Sequence, residues 1–150
     1  MFKRDYERIA AGLSLAGDRQ ERMQAAVDAL WAGLKAASVS WVGFYLPEGE
    51  EGLVLGPRRD KPACSPIGLH GVCGQAYLQR RPIVVRDVRE LGESYVACDP
   101  RDLAEVVVPL LDEAGDCWAV LDLDSHEVGA FSDADVSGLQ TVLRAADLTA

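Results

Sequence analysis

The stretch ESYVACDPRDLAEVVVPLLD, residues 93–112, sets Cys98 in a polar loop and Glu105 at the mouth of a strand that reads as buried. A thiol serves as nucleophile, redox centre, metal ligand or inert small hydrophobe, and a carboxyl group as acid, base or cation holder. Cys64, Cys73 and Cys117 bring the cysteines to four. They contain no CxxC pair, and His70 and His126 stand in no ligand spacing, so a structural zinc site is not expected and no metal is assigned. Redox chemistry or plain burial remains for the thiols. Asp122 and Asp124 alternate inside the apolar run CWAVLDLDS, which puts both on one sheet face. Acids there carry a desolvation cost that calls for a reason, unless the pair is solvated at the strand end. Trp41 and Tyr45 in SWVGFYL also share a face, as ordinary core or as a pocket wall.

The elements that must position these residues follow from periodicity. Two helices are expected over the first 37 residues. Phe2, Tyr6, Ile9 and Leu13 mark the first, which breaks at Gly17; Asp18, with Glu21 after it, caps the second, whose core face is Met23, Ala26, Val27, Leu30, Leu34 and Ala37. Strands are expected at 38–47, 52–56, 81–88, 105–112 and 117–125, with PEGEEG and DEAGD as hairpin loops and GVCGQAYLQR as an inserted short helix. Ser132 and Asp135 form a second capping signature, opening a helix with Val136, Leu139, Val142 and Leu143 on one face. This order does not alternate strand and helix. It implies an α+β fold, an antiparallel central sheet with its N- and C-terminal helices mainly on one face and a loop-covered ligand pocket on the other.

A chain of 150 residues is the size of a single domain: 1–37 the N-terminal helices, 38–131 the sheet and pocket loops, 132–150 the C-terminal helix. The net charge of −9 argues against a nucleic-acid partner. The apolar runs are too short to span a membrane and MFKRDYERIA is no signal peptide, so a cytoplasmic location is expected. The amphipathic N-terminal helices could pair in a homodimer.

Taken in order, SWVGFYL, LVLGP, KPAC, GVCG, YVACD, EVVVPL, AVLDLDS and FSDAD resemble the free methionine-(R)-sulfoxide reductases, a branch of the GAF domain superfamily, over almost the whole chain. The resemblance implies a GAF fold whose loops close over free methionine sulfoxide, thiol-based reduction without metal, flavin or nicotinamide cofactor, and recycling by thioredoxin. It makes Cys98 the attacking thiol, Cys64 the usual resolving thiol and Cys73 a third that can enter the disulfide. Trp41 and Tyr45 would cup the methyl-sulfur end of the substrate, and Glu105, Asp122 and Asp124 would be the pocket carboxylates. Cys117 has no counterpart and reads as a small buried hydrophobe.

That chemistry accounts for the residue types. A thiolate attacks the sulfoxide sulfur, and the oxygen needs a proton to leave, which a carboxyl group of raised pKa supplies. Crowded carboxylates raise one another's pKa, and one left ionised can hold an ammonium group. The oxidised thiol becomes a sulfenic acid, condenses with a second thiol, and the disulfide then needs an external dithiol. This chain departs from the family pattern beside the site. CDPRDLAE lacks the usual serines and asparagine before the glutamate and brings in Arg101 as a source of positive charge, SPIGLHGV is shorter than usual, and RRDK is more charged. The rivals are a non-catalytic GAF ligand-binding module and a redox-sensing interaction protein. The lack of room for an output domain in 150 residues, and retention of all the matching thiols, favour the enzyme.

Overall fold

The computed structural model describes residues 3–94 and 98–150. Phe2, and residues 95–97 of the YVACD string, lie outside the described residues. Helix α1 (Tyr6–Ala11) is capped by Asp5, whose side chain accepts from Arg8 N–H, and α2 (Arg19–Leu34) by Asp18. At α2 the reciprocal bonds are both made, Glu21 N–H to Asp18 Oδ1 at 2.9 Å and Asp18 N–H to Glu21 Oε1 at 3.2 Å. The expected face of α2 is buried at Met23, Ala26, Val27, Leu30 and Leu34. Helix α1 is shorter than expected: Gly12, a poor helix former, ends it with its N–H on the Ile9 carbonyl, and the chain beyond leaves Leu13 against the core and Leu15 exposed.

The strands are β1 (Trp41–Glu48), β2 (Gly52–Arg59), β3 (Ile67–Gly68), β4 (Ile83–Val85), β5 (Ala104–Leu111) and β6 (Cys117–Ser125), in one sheet of order β3-β2-β1-β6-β5-β4. Every pairing is antiparallel, and both expected hairpins, β1–β2 and β5–β6, are formed. Two strands differ from expectation. The 81–88 run pairs with β5 only over Ile83–Val85, because Asp87 then grips Arg89 and starts a 3-10 segment (Val88–Ser94) that is interrupted at Gly92. β3 is two residues long, too short to show any alternation.

Helix α3 (Val72–Gln79) lies on one face of the sheet, while α1, α2 and α4 (Asp133–Ala145) cover the other. Ser132 and Asp135 close a capping box on α4, and Val136, Leu139, Val142 and Leu143 are buried as expected. Asp135 also accepts from the Tyr6 hydroxyl at 2.6 Å and from Arg4 at 3.1 Å, which ties α1 to the start of α4. Among the described residues no helix is long and apolar enough to cross a membrane.

Candidate active site

Antiparallel register builds the site from the sheet. Trp41 of β1 stands opposite Asp124 of β6, which stands opposite Glu105 of β5; one step along, Gly43, Asp122 and Val107 form the next row, and Tyr45 faces Val120 beyond that. Side chains two apart on a strand share a face, so the two aromatics and three carboxylates converge on the face that α3 covers. A side chain at position 43 would run into the indole of Trp41, so glycine lets that ring lie across its own strand. Gly74 similarly lets α3 press against the backbone at Leu69.

The polar ends of the aromatics hold the loop that carries Cys64. Trp41 Nε1–H donates to the Lys61 carbonyl at 2.9 Å and the Tyr45 hydroxyl to the Cys64 carbonyl at 2.8 Å. Cys64 is in turn disulfide-bonded to Cys98, with Cα atoms 5.6 Å apart and a sequence separation of 34. A second link joins the same two loops, the ion pair between Lys61 and Asp99.

Beneath this bridge lies a cavity lined by Trp41, Tyr45, Cys73, Cys98 and the carboxylates of Glu105, Asp122 and Asp124. The structure thus brings together every site residue expected from the sequence; Cys64 reaches the cavity through its bond to Cys98. Cys98 is exposed at the mouth and Cys73 is a free buried thiol on the first turn of α3. Cys117, half-buried at the start of β6, takes no part in this cavity.

Burial dominates the electrostatics. It pushes Asp122 and Asp124 well above the ordinary carboxylate range, with the charge of neighbouring acids adding to the rise, and it raises Glu105 too, where the hydrogen bond with Asp122 opposes it. Lys61 opposes the rise at Asp124. Glu105 and Asp122 lie within hydrogen-bonding reach of each other, and two carboxyl groups can share a hydrogen bond only if one keeps its proton. The Cys73 thiol is pushed up by burial first and by Asp122, Glu105 and Asp124 after it. The pocket therefore favours the protonated form of these acids in a cavity that Cys98 also lines.

Two contributors escaped the sequence reading. Asp102 is buried, lines the cavity as a fourth carboxylate and accepts from Ser40 Oγ at 2.9 Å, while His126 lies 3.4 Å from its Oδ1 on the outer side. Lys61, which like Arg101 pairs with Asp99 and lines an outer groove, brings positive charge to bear on Asp124. Arg101 is spent on Asp99, at 3.0 and 3.1 Å, and lines an outer groove with Lys35 and His126 instead of the cavity. The only signal for Lys61 was its place just before PAC, and for Asp102 its place inside the altered CDPRDLAE segment.

A GAF domain model matches residues 16–148. The free methionine-R-sulfoxide reductase of Escherichia coli is 37% identical over 111 residues, covering 73% of this chain and 65% of that protein. The solved structure of the fRMsr of Staphylococcus aureus in complex with substrate superposes with a TM-score of 0.79 at 31% identity, over 97% of this chain and 95% of that one. The chain belongs to the GAF domain family, in its free methionine-(R)-sulfoxide reductase branch. GAF domain-containing protein A of Dictyostelium discoideum, whose name states no activity, is also 37% identical, over 108 residues, 71% of this chain and 67% of that protein. The chain thus matches about two thirds of the length of these curated relatives. As a GAF domain it carries its cavity on the sheet face opposite α1, α2 and α4, between the sheet and the loops that the Cys64–Cys98 bridge ties together.

Proposed function

We propose that this chain, working as one GAF unit in the cytoplasm, reduces free L-methionine (R)-sulfoxide to methionine. The observation that carries the proposal is the bond between Cys98 and Cys64 at the mouth of a cavity that also presents Trp41, Tyr45 and the buried acids. A thiol pair able to bond next to a stored proton is what sulfoxide reduction needs.

In the reaction Cys98 Sγ bonds to the sulfoxide sulfur while the carboxyl cluster protonates the oxygen, which leaves as water. Water then adds at Sγ, methionine departs, and Cys98 is a sulfenic acid. Cys64 condenses with it, a second water is lost and the disulfide forms. Net, one sulfoxide and two thiols give one thioether, one disulfide and one water. Trp41 and Tyr45 enclose the methyl-sulfur end, and whichever of Glu105, Asp122 and Asp124 stays ionised holds the substrate ammonium. Lys61 opposes the rise at Asp124, and the hydrogen bond from Asp122 opposes the rise at Glu105, so Asp122 is the acid and the ammonium is held by Glu105 or Asp124. The disulfide partner of Cys98 here supports Cys64 as the resolving thiol, with Cys73 held back as a buried neutral thiol. Thioredoxin, whose potential suits intracellular disulfides, closes the cycle, and no metal, flavin or nicotinamide is required.

The test is methionine formation with thioredoxin, its reductase and NADPH, supplied with each diastereomer of free methionine sulfoxide and with a sulfoxide-containing peptide. Turnover of the free R form alone is expected. Equal activity on the peptide, or none on any substrate while the free amino acid still binds, would leave a ligand-binding GAF module in place of the enzyme.

A further inference from the structure

Cys73, Glu105 and Asp122 come from α3, β5 and β6, so nothing in their sequence spacing announces a cluster. Folding nevertheless brings the Cys73 sulfur and one carboxylate oxygen from each acid within 4.8 Å of one another. All three residues are buried; Cys73 and Asp122 are each 5% exposed and Glu105 7%. Within this cluster Asp122 Oδ1 is buried with no hydrogen-bond partner among the described residues, and Asp122 lines the cavity. A buried oxygen left over in this way calls for an explanation, and a bound ion is one.

We propose that Cys73, Glu105 and Asp122 form a binding site for one thiophilic divalent cation of the zinc class. The donor set fits that class. A thiolate with two carboxylates is a three-ligand set that leaves a fourth, open position on a tetrahedral ion, and the open position here faces the cavity. Bond lengths of about 2.0 to 2.3 Å place the ligand atoms of such an ion roughly 3.5 Å apart. The observed atoms need to close by up to about 1.3 Å. Magnesium and calcium seek six or more oxygens and gain nothing from a sulfur ligand.

Charge points the same way. Asp124 and Asp102 act on the cluster by their charge, and Lys61 acts on Asp124. A divalent ion replaces protons that these crowded acids hold only because burial forbids their ionisation. Resting on the reductase reading, the ion also occupies space that the amino-acid substrate needs, so zinc acts as a competitive inhibitor.

The oxidised protein gives a test free of activity. With Cys64 and Cys98 bonded to each other, Cys73 and Cys117 are the thiols that remain. Cadmium chloride is titrated into this form while the ultraviolet cadmium–thiolate band is followed, and zinc is titrated against a chromophoric chelator. One ion per chain is expected, with magnesium at the same concentration giving no competition. Cys73→Ser should remove the cadmium band and weaken zinc at least 100-fold, and Cys117→Ser should leave both unchanged. Asp122→Asn, a second variant whose fold is checked by circular dichroism, should weaken zinc at least 10-fold. No band in the parent protein, or a band that survives Cys73→Ser and disappears in Cys117→Ser, overturns the proposal. Because no turnover is measured, metal binding can fail while the reductase reading stands, and the reverse. Inhibition is then read separately, as a zinc-dependent rise in the KM for methionine sulfoxide.

Discussion

Strand β1 holds two environments within a few residues. Val42 and Phe44 turn towards α1, α2 and α4 and join Val106, Val108, Leu121 and Leu123 in a core from which water is excluded. Trp41 and Tyr45 turn the other way, beside Glu105, Asp122 and Asp124. The strands are the same and only the parity of the position differs. One face is apolar and covered by helices, which stabilises the fold; the other buries acids and a thiol under two loops, which costs stability and places reactive groups. This sheet separates folding from chemistry by the alternation of its side chains.

Each face can be perturbed alone. The largest effect is expected from Cys98→Ser, which should cut methionine formation by at least about 10³-fold, measured by amino-acid analysis, since a serine hydroxyl does not replace the proposed attacking thiol and Cys73 is a buried thiol of raised pKa. Asp122→Asn comes next. Removing the neutral acid should lower kcat by about 10²- to 10⁴-fold while the melting temperature at neutral pH rises. The rise follows from linkage. Glu105, Asp122 and Asp124 have folded pKa values above their unfolded ones, so the folded chain holds protons that the unfolded chain releases. Their contribution is intact below the unfolded carboxylate range near about 4 and declines as pH rises through the raised folded values. Urea midpoints at pH 5 and pH 8 should therefore differ less in Asp122→Asn than in the parent.

On the other face, Leu121→Ala should cost about 2 to 5 kcal/mol by urea denaturation, because Leu121 is fully buried among large neighbours. Its kcat per folded molecule should stay within about twofold. A large fall in kcat would mean that the two faces are not separable. The smallest effect belongs to Asp18→Ala at the far end of the helical layer, about 1 kcal/mol from loss of the capping box and none on kcat.

What the sequence disclosed follows the range of each interaction. Asp18 with Glu21 and Ser132 with Asp135 are local hydrogen-bonding pairs, and both were readable because a capping box lies within one helical turn. The shared face of Asp122 and Asp124 was readable from strand alternation. The early end of α1 was missed because Leu13 keeps the helical period after Gly12 has ended the helix. The pairing of Cys64 with Cys98 came from family resemblance, since no spacing rule joins residues 34 apart. Asp102 and Lys61 depend on how two loops meet across the cavity mouth, and the Cys73 cluster depends on three separate elements. Such contacts are products of the tertiary fold.

Whether the thiol at 98 meets a sulfoxide inside this cavity and is then resolved by Cys64 can be read from a single turnover. Fully reduced protein is mixed with free methionine (R)-sulfoxide in the absence of any reductant, quenched by alkylation and mapped by mass spectrometry of its peptides. One methionine released per chain together with a Cys64–Cys98 disulfide is the predicted result. Methionine released with both of these cysteines still alkylated, or by the Cys98→Ser protein, would contradict the account.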